Sequence, residues 1–212
     1  MKSHESGKID RSTSGENGDG GDATRGVQNR YTGFAGLGRL EAAVSGDGRR
    51  MMPPVEKWNP PYCGDIGLAI AGDGTWFYQG SPIRRMELVK LFASVLRRDE
   101  DGRHYLVTPV EKIDIAVADA PLLAVEMDVL GSGRDQSLVM RTNLDDVMRI
   151  GPQHALRFAP SLQGVIRPYV GVRGRIEALV TRALTYELAE LLTQDDRGRA
   201  GVWSEGAFFA LE

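Results

Sequence analysis

Short apolar runs separated by glycine-containing turns are the feature that most constrains this fold. Turns are indicated at Gly72-Asp73-Gly74, at 99–103, at Gly131-Ser132-Gly133 and at 195–199. Between the turns, apolar and polar residues alternate with the period of two expected of a half-buried strand, most clearly over 123–129. Runs of this length joined by tight turns favour antiparallel pairing of neighbouring strands.

Two segments have a helical period instead. Ser81-Pro82 predicts the N-cap and first residue of a helix that buries Phe92. A second helix is predicted over 175–192, with Leu184 and Leu188 on its apolar face. The predicted fold class is therefore α+β, with mainly antiparallel strands and two main helices.

The order of these elements repeats along the chain. A strand, an arginine-containing turn, a helix, a glycine turn and paired strands occur twice, with Asp101-Gly102-Arg103 in one copy and Arg197-Gly198-Arg199 in the other. This order predicts a repeated strand-helix-hairpin unit in two halves. We expect the first α+β half to span 62–130 and the second to span 131–212.

The N-terminal quarter of the chain has a different composition. Residues 1–31 offer almost nothing to bury, so they are predicted to form a disordered tail. Residues 32–61 are predicted to form an N-terminal arm, with a short amphipathic helix followed by a proline-rich extended segment. We expect Val55 and Trp58 to anchor that segment by burial.

Charge and hydropathy exclude several classes of protein. The formal net charge is −3 and the pI is about 5.7, which argues against a nucleic-acid-binding protein. No apolar run approaches the roughly eighteen residues of a membrane span, and no secretory signal is visible. We therefore expect a cytoplasmic protein that binds neither membranes nor nucleic acids.

Catalytic residues are not indicated by any motif. Cys63 is the single thiol, and as a nucleophile it would need His104 or His154 close by. A small buried residue is the ordinary interpretation of such a cysteine. The carboxylates Asp65 and Glu111 are the remaining acid–base candidates. No cofactor or metal is predicted, because the glycine turns lack a nucleotide fingerprint and the histidines form no zinc spacing.

Four arginines form the best candidate binding site. Arg84 and Arg85 fall in the first turn of the first predicted helix, and Arg173 and Arg175 fall at the start of the second. The helix dipole disfavours a cation there by about 0.3 to 1 kcal/mol. The same placement in both halves predicts a bound anion such as a phosphate or a carboxylate. The alternative is that these side chains bend away from the helix starts and form ion pairs with Glu87, Glu177 or Asp65.

Several motifs spread over 53–212 resemble an uncharacterised proteobacterial family, a domain of unknown function. They include Cys63-Gly64-Asp65-Ile66, Gly74-Thr75-Trp76-Phe77, Gly80-Ser81-Pro82-Ile83, Arg141-Thr142-Asn143, Pro168-Tyr169-Val170 and Gly201-Val202-Trp203-Ser204. The resemblance implies a two-part α+β protein with a repeated structural motif. It also implies the role suggested for that family, which is signalling or ligand binding, with no activity established.

Three functions remain open from the sequence. The leading hypothesis is a non-enzymatic regulatory protein that binds a small anionic ligand, in signalling. The second is a protein–protein interaction module that uses the N-terminal arm or the aromatic end at 203–209. The third is an enzyme that uses Cys63 or the pair Asp65 and Glu111.

Overall fold

The computed structural model describes residues 52–160 and 164–211. They form fifteen strands and two α-helices, which confirms the α+β class. In chain order the elements are β1 Tyr62–Ile70, β2 Trp76–Tyr78, β3 Ser81–Pro82, α1 Met86–Ser94, β4 Leu96–Arg98, β5 His104–Val107, β6 Lys112–Val117, β7 Leu122–Leu130, β8 Ser137–Thr142, β9 Val147–Arg149, β10 Leu156–Pro160, β11 Ile166–Arg173, β12 Ile176–Val180, α2 Arg182–Glu190, β13 Thr193–Gln194, β14 Ala200–Ser204 and β15 Ala207–Ala210. Neither helix of this described part is long and apolar enough to cross a membrane.

The strands are grouped in antiparallel meanders of three. The two six-stranded sheets have the orders β3-β2-β1-β6-β5-β4 and β10-β11-β12-β7-β8-β9, and β13-β14-β15 form a third sheet. In each large sheet two meanders join through a parallel pair, β1 with β6 and β7 with β12. Each parallel pair thus joins the first strand of one meander to the last strand of the next.

The repeat predicted from the sequence is present. α1 stands between the meanders β1–β3 and β4–β6, and α2 stands between β10–β12 and β13–β15. The helices begin 96 residues apart, at Met86 and Arg182, and they end 96 residues apart, at Ser94 and Glu190. The hairpin turn after each helix is closed by an equivalent backbone hydrogen bond of 3.1 Å. Asp99 N–H donates to Arg103 O after α1, and Asp195 N–H donates to Arg199 O after α2.

The boundary between the halves lies before β7. The sequence predicted a first half of 62–130, which includes β7. Strand pairing instead connects β7 to β8 and β12, so β7 belongs to the second half. The glycine turn is the tip of the β7–β8 connection, and the halves join at 118–121, where Pro121 cannot donate a backbone hydrogen bond.

The predicted start of the first helix is wrong. Ser81 and Pro82 form β3, which pairs with Tyr78 and Phe77 of β2. The connecting residues Gln79 and Gly80 both have positive φ, 48° and 76°. That is the geometry of a two-residue hairpin turn whose twist matches the flanking strands. α1 begins four residues later than predicted, with Arg85 as its N-cap.

The predicted start of the second helix is also wrong, because 176–180 is the strand β12. Ile176, Ala178 and Val180 are buried on one side of that strand. The residues used to predict the helix, Ile176 and Val180, are four apart, and a spacing of four satisfies both the strand period of two and the helical period of 3.6. Thr181 then caps α2 in extended conformation.

The proline-rich segment is held by an arginine as well as by burial. Val55 is buried as predicted, whereas Trp58 is only half-buried. Arg97 of β4 donates hydrogen bonds to the carbonyl oxygens of Val55, at 2.9 Å, and Trp58, at 2.7 Å. The tail and the amphipathic part of the arm lie outside the described residues.

The two helices are buried to different extents. α1 buries five side chains, including Phe92, which is 1% exposed and stacks on Trp76 with 6.2 Å between ring centroids. α2 buries only Leu184 and Leu188. Residues of the second half contact α1 at Lys90 and at the carbonyl of Ala93, whereas the remaining residues of α2 are exposed apart from the half-buried Thr185.

Phe92→Ala should lower the free energy of unfolding by about 3 to 5 kcal/mol, because it leaves a cavity against Trp76. Urea unfolding followed by tryptophan fluorescence measures the change. Tyr186→Ala on α2 is the matched control and should have little effect, since Tyr186 is 59% exposed. Equal small losses in both variants would contradict the assignment of Phe92 to the core.

Candidate functional site: a cleft between the two halves

Arg173 links the halves at the carboxyl end of α1. It is the last residue of β11, and its Nη2 donates a hydrogen bond to the carbonyl of Ala93. Its Nη1 lies 3.6 Å from Oδ2 of Asp146. The carboxyl end of a helix carries partial negative charge, so a guanidinium group is favoured there. Burial lowers the pKa of Arg173, and the charge of Asp146 opposes that shift.

Other contacts between the halves are ion pairs too. Arg175, in the β11–β12 turn, pairs with Glu100 at 2.8 Å, and both side chains are exposed. Lys90 of α1 pairs with Asp145. The contact between the halves is thus rich in polar groups, which is typical of domain interfaces that can rearrange.

The four predicted arginines do not gather at one point. Arg84 and Arg85 are exposed just before α1 and not in its first turn, and neither forms an ion pair with another described residue. Arg173 contacts the opposite end of the same helix, eight residues and about 12 Å from Arg85. Neither Arg173 nor Arg175 starts a helix, because β12 intervenes. Both form ion pairs, but with Asp146 and Glu100 and not with the predicted partners.

A cleft of about 350 Å³ lies between the halves. The first half contributes β4, β5 and the end of β6, and the second half contributes β10, β11 and β12. Its polar lining consists of six side chains, Arg98, His104, Asp119, Arg157, Tyr169 and Glu177. We call this cavity and its six polar side chains the inter-half cleft.

Arg98 and His104 form the first-half wall of the inter-half cleft. They are direct partners in the β4–β5 pairing, so their side chains project on the same face about 5 Å apart. The guanidinium of Arg98 has only long contacts, with Nε 3.3 Å from Gly102 O and Nη1 3.5 Å from Glu177 Oε2. Arg98 is therefore weakly engaged within the protein.

The second-half wall is a more tightly bonded group. Arg157 binds Glu177 through two hydrogen bonds of 2.9 Å and lies over the ring of Tyr169, 4.6 Å from its centroid. Tyr169 donates to Asp119 at 2.9 Å. Burial, followed by the hydrogen bond to Asp119, raises the pKa of Tyr169.

The charged side chains that line the cleft are two arginines, Arg98 and Arg157, and two carboxylates, Asp119 and Glu177. Both carboxylates already accept strong hydrogen bonds, Glu177 from Arg157 and Asp119 from Arg167, the latter at 2.8 Å. Burial, followed by repulsion from Arg98, lowers the pKa of His104 to about 4, while Glu177 opposes the shift. His104 is therefore neutral at pH 7, where its ring can still donate one hydrogen bond.

Cys63 is exposed, contrary to the expectation of a buried residue. It lies at the start of β1, where Tyr62 pairs with Lys112, whereas His104 pairs with Ile115, about 10 Å further along β6. The second histidine, His154, belongs to the other half, where its Nδ1 lies 2.9 Å from Gly171 O. Neither histidine is placed to activate Cys63.

The two carboxylates proposed for acid–base chemistry are also apart. Asp65 is exposed, accepts the N–H of Gly67 at 2.7 Å and lies opposite Asp114. Glu111 is buried in the β5–β6 turn. It precedes Asp114, the residue opposite Asp65, by three residues. The separation is about 10 Å, which is too long for a direct acid–base pair.

The aromatic end of the chain is covered by arginines. The rings of Trp203 and Phe208 lie 5.0 Å apart between centroids. Arg134 lies 5.0 Å from the Trp203 centroid, and Arg199 lies 5.8 Å from the Phe208 centroid. Both rings are half-buried, so this end does not present an open apolar patch.

Comparison with known families agrees with the two-part architecture. Residues 53–120 match the N-terminal domain of DUF1285, a domain of unknown function, and residues 121–211 match its C-terminal domain. The chain belongs to the DUF1285 family. The resemblance predicted from the sequence is therefore confirmed, and the two DUF1285 domains meet at the link between β6 and β7.

Two solved DUF1285 structures are similar to this chain. The crystal structure of a DUF1285 protein from Silicibacter pomeroyi DSS-3 has 46% sequence identity and a TM-score of 0.73, and the match covers 81% of this chain and 93% of that one. A DUF1285 protein from Shewanella baltica OS155 has 25% identity and a TM-score of 0.46, with coverage of 59% and 91%. No curated protein matches the chain.

The sequence did not predict the inter-half cleft, although its first-half wall could have been predicted. The predicted turn at 99–103 fixes the hairpin register, and that register sets Arg98 opposite His104. Arg157 and Glu177 reach the same place because β12 packs against β4 and Glu177 of β12 bonds to Arg157, and no local pattern indicates that contact.

Arg173→Gln should lower the free energy of unfolding by about 1.5 to 3 kcal/mol, since it removes a partly buried charged hydrogen bond to α1. Arg175→Gln, two residues away in an exposed pair, is the matched control and should change little. Urea midpoints measure both. A neutral or stabilising Arg173→Gln would show that this contact does not hold the halves together.

His104 should make the folded protein less stable as the pH falls from about 6.5 to about 4. In that window the unfolded chain binds a proton at this residue and the folded chain does not. His104→Gln should therefore flatten part of the decline in melting temperature, and His154→Gln should not. Identical pH profiles for wild type and His104→Gln would contradict the assignment.

Proposed function

We propose that this DUF1285 protein binds a small anionic ligand in the inter-half cleft and acts as a regulatory binding protein in signalling. The observation that carries the proposal is the weakly engaged guanidinium of Arg98, in a cleft whose two carboxylates are bonded to other arginines. Guanidinium groups bind carboxylates and phosphates through parallel hydrogen bonds, so an oxyanion is the natural partner.

The size of the cleft supports a metabolite-sized ligand. A volume of about 350 Å³ is at the lower end of the range of small-molecule sites, about 300 to 1,000 Å³. Its lining is mostly polar, which favours a ligand with several hydrogen-bonding groups. Tyr169 and His104 supply rings against which the ligand can pack.

The position of the cleft supports a regulatory role. Arg98 and His104 come from the first half, and Arg157 and Glu177 come from the second. A ligand that touches both walls favours the arrangement in which the halves are in contact. Because that contact is rich in exposed ion pairs, a ligand of moderate affinity can shift its equilibrium.

A thermal-shift screen tests the proposal. Phosphate, sulfate, dicarboxylates and phosphorylated metabolites should raise the melting temperature above that in chloride of equal ionic strength. At one hundred times the dissociation constant a ligand stabilises the folded state by about 2.7 kcal/mol, which corresponds to several degrees.

Matched variants identify the site. Arg98→Gln should abolish the rise, and Arg134→Gln, whose guanidinium pairs with Asp196 outside the cleft, should retain it. If the double variant Arg84→Gln/Arg85→Gln abolished the rise in melting temperature instead, the anion site would lie at the start of α1, as predicted from the sequence. No shift with any anion would leave the protein-interaction hypothesis in its place.

A further inference from the structure

The neighbourhood of His104 carries an inference that rests on the proposed function. We propose that the anionic group of the ligand sits between Arg98 and His104, and that its binding draws a proton from solvent onto the His104 ring. The ligand is then an oxyanion whose affinity rises as the pH falls, which makes the inter-half cleft sensitive to pH as well as to ligand.

The strand register supports the position of the anion. Direct cross-strand partners present their side chains side by side on one face of the sheet. A protonated His104 ring would be repelled by Arg98 in this position, and one oxyanion between the two side chains would accept hydrogen bonds from both. The hairpin turn at 99–103 is closed by its own backbone bonds, so the two strands hold this spacing without the ligand.

The charged groups that face His104 come from five elements. Arg98 lies on β4 and Arg157 on β10; Glu177 lies on β12, Asp119 on the link between the halves, and Tyr169 on β11. Glu177 and Asp119 are already bonded to arginines of the second half, by hydrogen bonds of 2.9 Å and 2.8 Å. Arg98 is therefore the charge that most disfavours the protonated ring in the absence of ligand.

An added anion reverses that balance. Without it, burial and Arg98 keep the ring neutral near pH 7, with a pKa of about 4. An oxyanion within hydrogen-bonding distance favours the protonated imidazole and raises the pKa. If the ligand makes His104 bind its proton more tightly, then by linkage the proton makes the protein bind the ligand more tightly. The affinity for the ligand therefore rises as the pH falls toward the pKa of His104 in the free protein.

Sulfate is the probe, since it stays a dianion throughout the range used. Isothermal titration calorimetry of the full chain at pH 8 and pH 5 should show sulfate binding more than tenfold tighter at pH 5. Titrations in two buffers of different ionisation enthalpy should show net uptake of protons at intermediate pH. In NMR spectra, sulfate should raise the pKa of the His104 ring.

Two histidine variants separate this effect from the general rise in positive charge at low pH. His104→Gln keeps a hydrogen-bond donor but cannot titrate, so the tenfold dependence should shrink to that of the general charge effect. His154→Gln should keep the dependence, because its ring lies in the second half beside Gly171. Both variants should retain the fold in circular dichroism.

The outcomes distinguish the two proposals. In one outcome sulfate binding needs Arg98 but has the same pH dependence in wild type and in His104→Gln. That result would overturn proton coupling and leave the proposed function intact. Absence of sulfate binding at both pH values would overturn both. A pH dependence lost in His154→Gln instead of His104→Gln would also overturn the inference.

Discussion

The contact between Arg173 and the carboxyl end of α1 is the interaction on which the arrangement of the halves depends. A guanidinium from the second half meets the helix end of the first half, where the dipole favours a cation. The contact fixes the end of β11 and the turn that follows. A Cβ at Gly174 in that turn would lie 2.5 Å from a carboxylate oxygen of Glu56, so the proline-rich segment is packed closely there as well.

The position of β12 follows from this turn, and with it the inter-half cleft. Glu177 is the second residue of β12 and stands between Arg98 of one half and Arg157 of the other. A shift of the β11–β12 turn would move Glu177 and change the charge that faces Arg98. The helix contact and the cleft are thus two parts of one interface.

The repeated unit is used differently in its two copies. The equivalents of Arg98 and His104, 96 residues further on, are Gln194 and Ala200, so the second hairpin cannot form the same basic pair. Leu96 is 1% exposed, whereas its equivalent Leu192 is 40% exposed. The first copy is therefore more deeply buried at this position than the second, and only the first carries the basic pair that lines the cleft.

Much of the fold was predictable from sequence because strand period and turn chemistry are local. The strands near 105–107, 112–117 and 123–129 and the closing hairpin follow from alternation and glycine placement. The start of α2 was not predictable, since Ile176 and Val180 fit both periods. The position of Arg173 was not predictable either, because it depends on a tertiary contact with the far end of α1.

A crystal structure with selenate at pH 5 tests the central claim most directly, because selenium scatters anomalously and selenate mimics sulfate. The account predicts an anomalous peak between the guanidinium of Arg98 and the ring of His104, with the halves in contact as described. An empty inter-half cleft, with selenate bound at the start of α1 or at scattered surface arginines, would contradict it.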